Sequence, residues 1–201
     1  MSKDHFAHKA QTFEQNPDRV DNVTNIASAI LDKVTLEPSM HLLDFGSGTG
    51  LLLERIAQHV GKITAVDISP SMNQQLKDKL EKLPCEVEIR ELNLEKQTLA
   101  DRFDGIISSM TMHHVQDVDA MFRRFHELVK PGGFIAIADL EKEDGSFHTE
   151  NNGVFHSGFG RQEIISTALE AGFQNVEVGP ASVIVKEGRG YPVFLLTASK
   201  P

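Results

Sequence analysis

The chain has 201 residues, a net charge of −9 and a single cysteine, Cys85. That length suits one domain, and one thiol closes no internal disulfide, which excludes a disulfide-built secreted scaffold. The acidic balance disfavours nucleic acid and anionic membranes as partners, residues 1–10 hold no signal-peptide core, and no run reaches the roughly 18 apolar residues of a membrane span. The expectation is a cytoplasmic protein with no nucleic-acid or membrane partner.

No internal repeat and no low-complexity linker divides the chain, so residues 1–201 read as a single domain. Phe6, Ala10 and Phe13 fall at helical spacing over residues 3–16, and Asn16-Pro17 breaks the run. Residues 20–34 form an amphipathic helix, so 1–36 reads as an N-terminal helical segment. A buried-type strand over 40–45 leads through a glycine-rich turn into a helix over 51–59. Then come a strand at 63–66, a helix at 71–83 ended by Pro84, and strands at 87–92 and 103–109. A helix at 118–129 is closed by Lys130-Pro131-Gly132-Gly133, and a strand follows at 134–140. Residues 141–160 read as a polar lid or substrate loop. A helix at 161–171, capped by Gly172, precedes short strands at 176–178 and 193–198. Alternating strands and helices predict an α/β domain with a mainly parallel sheet. The Gly-rich segment 186–190 joins the last two strands without a helix, which predicts an antiparallel pairing at one end.

The segment HLLDFGSGTG, residues 41–50, is the most informative. Glycines let a backbone turn sharply and approach a ligand, and the next helix offers free N–H groups. The spacing is G-x-G-x-G rather than the dinucleotide pattern G-x-G-x-x-G, whose third glycine would fall on Leu51, and a P-loop lysine is missing. Both points disfavour a nicotinamide oxidoreductase and a phosphate-bearing ligand. Asp67, about twenty residues on at the tip of the second strand, stands where an acid meets ribose hydroxyls.

This segment with Asp67 resembles motif I and the ribose-binding acid of class I S-adenosylmethionine-dependent methyltransferases. Phe103 to Met110 resembles their fourth-strand motif, His113-His114-Val115 the signature after it, and Glu127 to Phe134 their late Lys-Pro-Gly-Gly turn. The likeness covers roughly residues 40–140 and is nearest the small-molecule branch that includes the ubiquinone and menaquinone biosynthesis enzymes. Phe6 to Phe13 and Gly160 to Glu163 are similar to that branch too.

The resemblance implies a Rossmann-like, three-layer αβα fold with a mainly parallel seven-stranded sheet and an antiparallel strand at one edge. It implies S-adenosylmethionine as cofactor, leaving as S-adenosyl-L-homocysteine. Gly46, Ser47 and Gly48 would lie under the amino-acid part of the cofactor. Asp44 would hold that loop and face the ammonium group, or else cap the loop's own amides. Asp67 would bind the ribose, Ile68 and Met72 would pack on adenine or ribose, and Ser109 and Met110 would meet the methionine arm. Asn93 replaces the family's usual aspartate at the adenine, with the Leu94 amide beside it. Gly50 reads as a packing glycine between helix and strand, and Cys85 as inert.

His113 and His114 follow the fourth strand, where one of them is expected to face the acceptor, with His114 the better candidate for a base. His148 and His156 lie in the long loop and read as pocket residues, as metal ligands with His113 and His114, or as part of a loop without chemistry. Phe13 and Arg19 would close the N-terminal segment over the cofactor. The expected function is methyl transfer to an unidentified small molecule by a monomer or homodimer. Two other readings stay open: a non-catalytic cofactor-binding regulatory module, and a methyltransferase acting on a protein.

Overall fold

The structure is a computed structural model that describes residues 4, 7–148 and 153–201. A sheet of seven strands runs in the order β3-β2-β1-β4-β5-β7-β6. In chain order the elements are α1 (Pro17–Lys33), β1 (His41–Phe45), α2 (Leu51–Ile56), β2 (Lys62–Asp67), α3 (Pro70–Lys77), β3 (Glu86–Glu91), β4 (Phe103–Ser109), α4 (Val118–Leu128), β5 (Val129–Leu140), α5 (Arg161–Glu170), β6 (Gln174–Lys186) and β7 (Arg189–Ser199). The first five strands are parallel. β7 runs antiparallel between β5 and β6. This is the Rossmann-like αβα sheet with the antiparallel end that the sequence predicts.

Alternation along each strand sorts the core into two halves. Leu42 of β1 joins Ile26 and Ile30 of α1 and Leu53 and Ile56 of α2 on one face. Its neighbour Leu43 joins Phe122 and Phe125 of α4 and Ile164 of α5 on the other. Strands buried on both faces read as continuous apolar runs for this reason. Helix starts follow local chemistry: Asn16 caps α1, with Pro17 at its first position, Ser69 caps α3 and Asp117 caps α4.

The structure corrects several boundaries. The predicted helix over 3–16 shortens to a 3-10 turn at Ala10–Gln15, and Phe6 lies outside the described residues. The helix expected over 71–83 stops at Lys77, with a separate 3-10 turn at Leu80–Lys82. β5 starts at Val129, five residues early, because Gly132 takes φ 77° and the Gly132 and Lys200 amides bond across to Lys200 O and Gly133 O. β6 and β7 are far longer than predicted and meet in a two-residue hairpin at Glu187-Gly188, with φ 53° and 78°.

Loop 141–160 is not structureless where it is described. Lys142 N bonds Phe159 O and Glu143 N bonds Ser157 O, which zips its two ends into a stem. Gly158 makes this possible, since a Cβ there would lie 2.1 Å from Glu141 O. The hairpin tip then grips the loop. Arg189 Nη1 reaches Asp144 Oδ2 at 2.7 Å, Lys186 Nζ reaches Phe147 O at 2.7 Å, and the Tyr191 and Ser146 hydroxyls meet at 2.8 Å.

Candidate active site

The candidate site residues gather where β1, β2, β4 and β5 end. After β1, Gly46 N and Ser47 N donate to Val66 O at 2.8 and 3.2 Å, which ties the glycine loop to β2. Gly46, Gly48 and Gly50 all take positive φ, which side chains resist. Gly50 is a packing glycine, but its neighbour is Leu76 of α3, 2.5 Å from a hypothetical Cβ, and not a strand. At Gly48 a Cβ would meet nothing within 4 Å, so the backbone there is bare.

Asp67 braces this loop. Its Oδ2 accepts from Gly48 N and its Oδ1 from Ser69 N, each at 2.8 Å. Burial pushes its carboxyl up, against the pull of those amides. Asp4 takes part as well, through Ser69 Oγ and Ser71 Oγ at 2.8 Å, so the start of the chain reaches this edge. Nothing in the sequence alone pointed to Asp4.

Val66 O and Asp67 accept the direct hydrogen bonds of the loop amides. Asp44 is 1% exposed, and its Oδ2 has no hydrogen-bond partner among the described residues. Burial first, then the Asp67 charge, pushes its carboxyl up to about 8. The Ser47 and Ser109 hydroxyls are buried and unpartnered too. A buried carboxylate oxygen and two buried hydroxyls are costly to leave unpaired, and together they suit a cationic, hydrogen-bonding ligand.

Ile68 is 51% exposed next to Asp67, whereas Met72 is buried. Asn93 turns its Oδ1 to Glu95 N at 2.8 Å, and the Leu94 side chain lies in the core. Past β4, Met110 takes φ 57° and swings the chain so that Thr111 Oγ1 meets Ser109 O at 3.2 Å and Gly46 O at 3.4 Å. Thr111 escaped the sequence reading. Phe13 and Arg19 satisfy each other, with the guanidinium 4.5 Å over the ring.

Three of the four singled-out histidines gather. The His113 ring centroid lies 4.3 Å from that of His114 and 4.7 Å from that of His148. His113 Nδ1 lies 2.7 Å from Oδ1 of Asp139, a fully buried residue of β5 that the sequence reading took as plain strand. His114 Nδ1 meets Gly153 O at 3.0 Å. His156 stands apart, with Nε2 2.9 Å from Val115 O. Burial, then the His113 and His114 charges, lowers His148 to about 4, so it is neutral near pH 7. Among the described residues, no group of three or more His, Cys, Asp or Glu is arranged to hold a metal ion.

Comparison with known proteins decides the family. Residues 43–137 match the methyltransferase domain family, across the glycine loop, Asp67 and the histidine turn. A ubiquinone biosynthesis O-methyltransferase of Cereibacter sphaeroides is 30% identical over 67% of this chain and 56% of its own length. The chain carries a class I S-adenosylmethionine-dependent methyltransferase domain. An uncharacterized methyltransferase of Schizosaccharomyces pombe is 28% identical over 84% of this chain and 65% of its own. The chain thus spans less than two thirds of the length of these curated relatives. An N-methyltransferase of Bradyrhizobium japonicum, solved with S-adenosyl-L-homocysteine, shares the methyltransferase fold at a TM-score of 0.72 and 15% identity, over 92% of this chain and 89% of its own. S-adenosylmethionine is the cofactor of this methyltransferase family.

Proposed function

We propose that the protein transfers the methyl group of S-adenosylmethionine to a small-molecule acceptor. The observation that carries this reading is Asp44, a buried carboxyl group with an oxygen unpaired among the described residues, beside a bare glycine backbone. An incoming ammonium group would satisfy it, with Ser47 and Ser109 as neighbouring partners. Asp67 would turn its remaining lone pairs to the ribose while keeping the loop amides. Ile68 would cover the adenine, and Asn93 would share its Oδ1 with the adenine amino group.

The sulfonium methyl is already activated, so the protein's task is alignment and exclusion of water. The zipped stem of loop 141–160 brings His148 to 4.7 Å from His113, between ring centroids, which supports a small acceptor over a protein side chain.

Calorimetric titration with S-adenosylmethionine, with NAD as control, tests the reading. Micromolar binding weakened at least about tenfold by Asp67→Ala, with no response to NAD, is the expected result. A folded protein that binds no S-adenosylmethionine would overturn it. Transfer of labelled methyl to purified proteins, but to no small acceptor, would favour a protein substrate.

A further inference from the structure

We infer that the protein pairs with a second copy of itself through β6, joining the two sheets into one across a two-fold axis at Ile184. β6 ends the sheet and has a strand partner on one side only among the described residues. The opposite end, β3, is guarded by charge, with Glu86, Glu88, Arg90 and Glu91 along it. The first half of β6 is guarded by shape: Asn175 takes φ 53°, and the register shifts between Gln174 and Glu177 and between Pro180 and Ser182. Residues 182–186 have neither device. They pair regularly with β7, contain no Pro or Gly, and leave Val183 58% and Val185 60% exposed on one face. Their one charge, Lys186, turns away, with Nζ on Phe147 O at 2.7 Å. An exposed, regular, β-branched edge of this kind is a template for a further strand.

The phase of the backbone bonds decides which residues offer their edge. A two-residue hairpin closes on a bonded pair, here Lys186 and Arg189, and bonded pairs alternate from there. Val183–Pro192 and Val185–Gly190 are therefore pairs whose N–H and C=O groups point apart. Pro192 agrees with that phase, since its carbonyl accepts from Glu141 N, the residue after β5, at 2.9 Å. The amides and carbonyls of Val183 and Val185 thus face outward. Antiparallel pairing that sets Val183 opposite Val185 of the second copy, with Ile184 on the axis, lets each such pair exchange both backbone bonds. It also gathers the exposed valines of both copies on one face, and the contact is self-complementary, as a two-fold joint must be.

Charge favours a second copy over an unrelated strand. Asn25 Nδ2 of α1 donates to Ser182 Oγ at 3.3 Å, and Lys33 Nζ pairs with Glu177 Oε2 at 2.9 Å, so α1 runs antiparallel along β6. Asp21 lies one turn before Asn25 on the same side of the helix, nearer the hairpin end of the strand. It is exposed and joins no ion pair among the described residues. Lys186 has no carboxylate either, only the Phe147 carbonyl and ring. In the register above, Lys186 of the second copy falls opposite Ser182, within a lysine arm's reach of Asp21, and the axis repeats that pair. No like charges meet, because Lys186 faces Ser182 and Glu187 faces Ala181. So short a joint is small beside the roughly 1,200 Å² of a stable interface, and a micromolar dissociation constant follows.

Sedimentation velocity on the full chain, from about 1 to 300 μM, tests the pairing. A monomer–dimer equilibrium in that range is expected, weakened at least about 100-fold by Val183→Lys combined with Val185→Lys. Asp21→Lys and Lys186→Glu should each weaken it at least about fivefold, and the two together should restore it to within about twofold of wild type. Hydrogen exchange at the Val183 and Val185 amides should slow as concentration rises. A monomer at every concentration overturns the proposal, and slow Val183 and Val185 amides in that monomer would mean that the chain covers its own edge. A dimer that the two lysines leave intact lies on another face, and one that the charge exchange does not restore is joined in another register; either result overturns it too. If the double lysine variant does not fold, as judged by thermal melting, the substitution on the exposed helix surface, Asp21→Lys, and its rescue by Lys186→Glu carry the test.

Discussion

Thr111 stands so close over Gly46 that a Cβ on that glycine would lie 2.2 Å from both the Cγ2 and the Oγ1 of the threonine. Gly46 also sits at φ 70°, so two independent constraints demand glycine there. The contact welds the end of β4 to the turn after β1. Gly46→Ala is expected to cost about 1–3 kcal/mol of stability and to weaken S-adenosylmethionine binding at least about tenfold. Thermal melting and calorimetry check both numbers. Wild-type affinity in a destabilised Gly46→Ala would show that the cofactor does not rest on this turn.

Asp44 predicts a pH signature. Its folded carboxyl is pushed up to about 8 from an unfolded value of 3.8. The folded state therefore holds a proton that the unfolded state has released, so stability falls as pH rises from about 4 to 8. Asp67 is shifted in the same direction and adds to the slope. An ammonium group against Asp44 would favour the ionised form, so cofactor binding below pH 8 should release a proton and tighten as pH rises. Calorimetry in buffers of different ionisation enthalpy measures that release. Asp44→Asn should abolish it; release of the same size in that variant would place the proton elsewhere.

The grip of the β6–β7 hairpin on loop 141–160 should matter more for the acceptor than for the cofactor. The Arg189–Asp144 pair is exposed, so Arg189→Ala should leave the melting temperature nearly unchanged. Combined with Tyr191→Phe, which removes the contact to Ser146, it should speed hydrogen exchange over residues 141–148 and raise KM for the acceptor several-fold. The affinity for S-adenosylmethionine should stay within about threefold of wild type. Unchanged exchange over 141–148 would mean that the stem alone fixes the loop.

The hairpin turn itself is open to improvement. Glu187 at φ 53° and Gly188 at φ 78° form a two-residue turn that prefers Asn-Gly. Glu187→Asn should raise the melting temperature, by about 0.5–1 kcal/mol of stability, and Gly188→Ala should lower it by a similar amount. A melting temperature that falls in Glu187→Asn would show that the glutamate makes a compensating contact.

The apolar runs of β1, β2, β4 and β5 and the spacing from Gly46 to Asp67 made the sheet and the cofactor edge legible in the sequence. The signals are local there, since a strand buried on both faces must be apolar and a tight turn must be glycine. The hairpin was harder to see. Pro180 sits at a register shift on the edge strand, and Pro192 lies past the last β5 partner of β7, so both prolines are tolerated within strands longer than the apolar pattern shows. Asp139 was missed for a different reason. In the run Ile135 to Leu140 it looks like one polar residue in a core strand, and its partner comes from a turn 26 residues earlier. An acid in so apolar a strand must find a donor, and the two histidines after β4 were the place to look.

Tyr191, whose hydroxyl meets Ser146, is the only tyrosine of a chain with no tryptophan. Nearly all of the protein's emission near 305 nm must therefore come from one ring, lodged where the hairpin clasps the loop, with Phe147 packed against it at 5.1 Å. Release of that clasp would return the phenol to water and change its quantum yield and anisotropy. The unlabelled protein thus carries its own optical gauge of whether the hairpin holds residues 144–147, and a titration with acceptor candidates followed by that signal would report any change there.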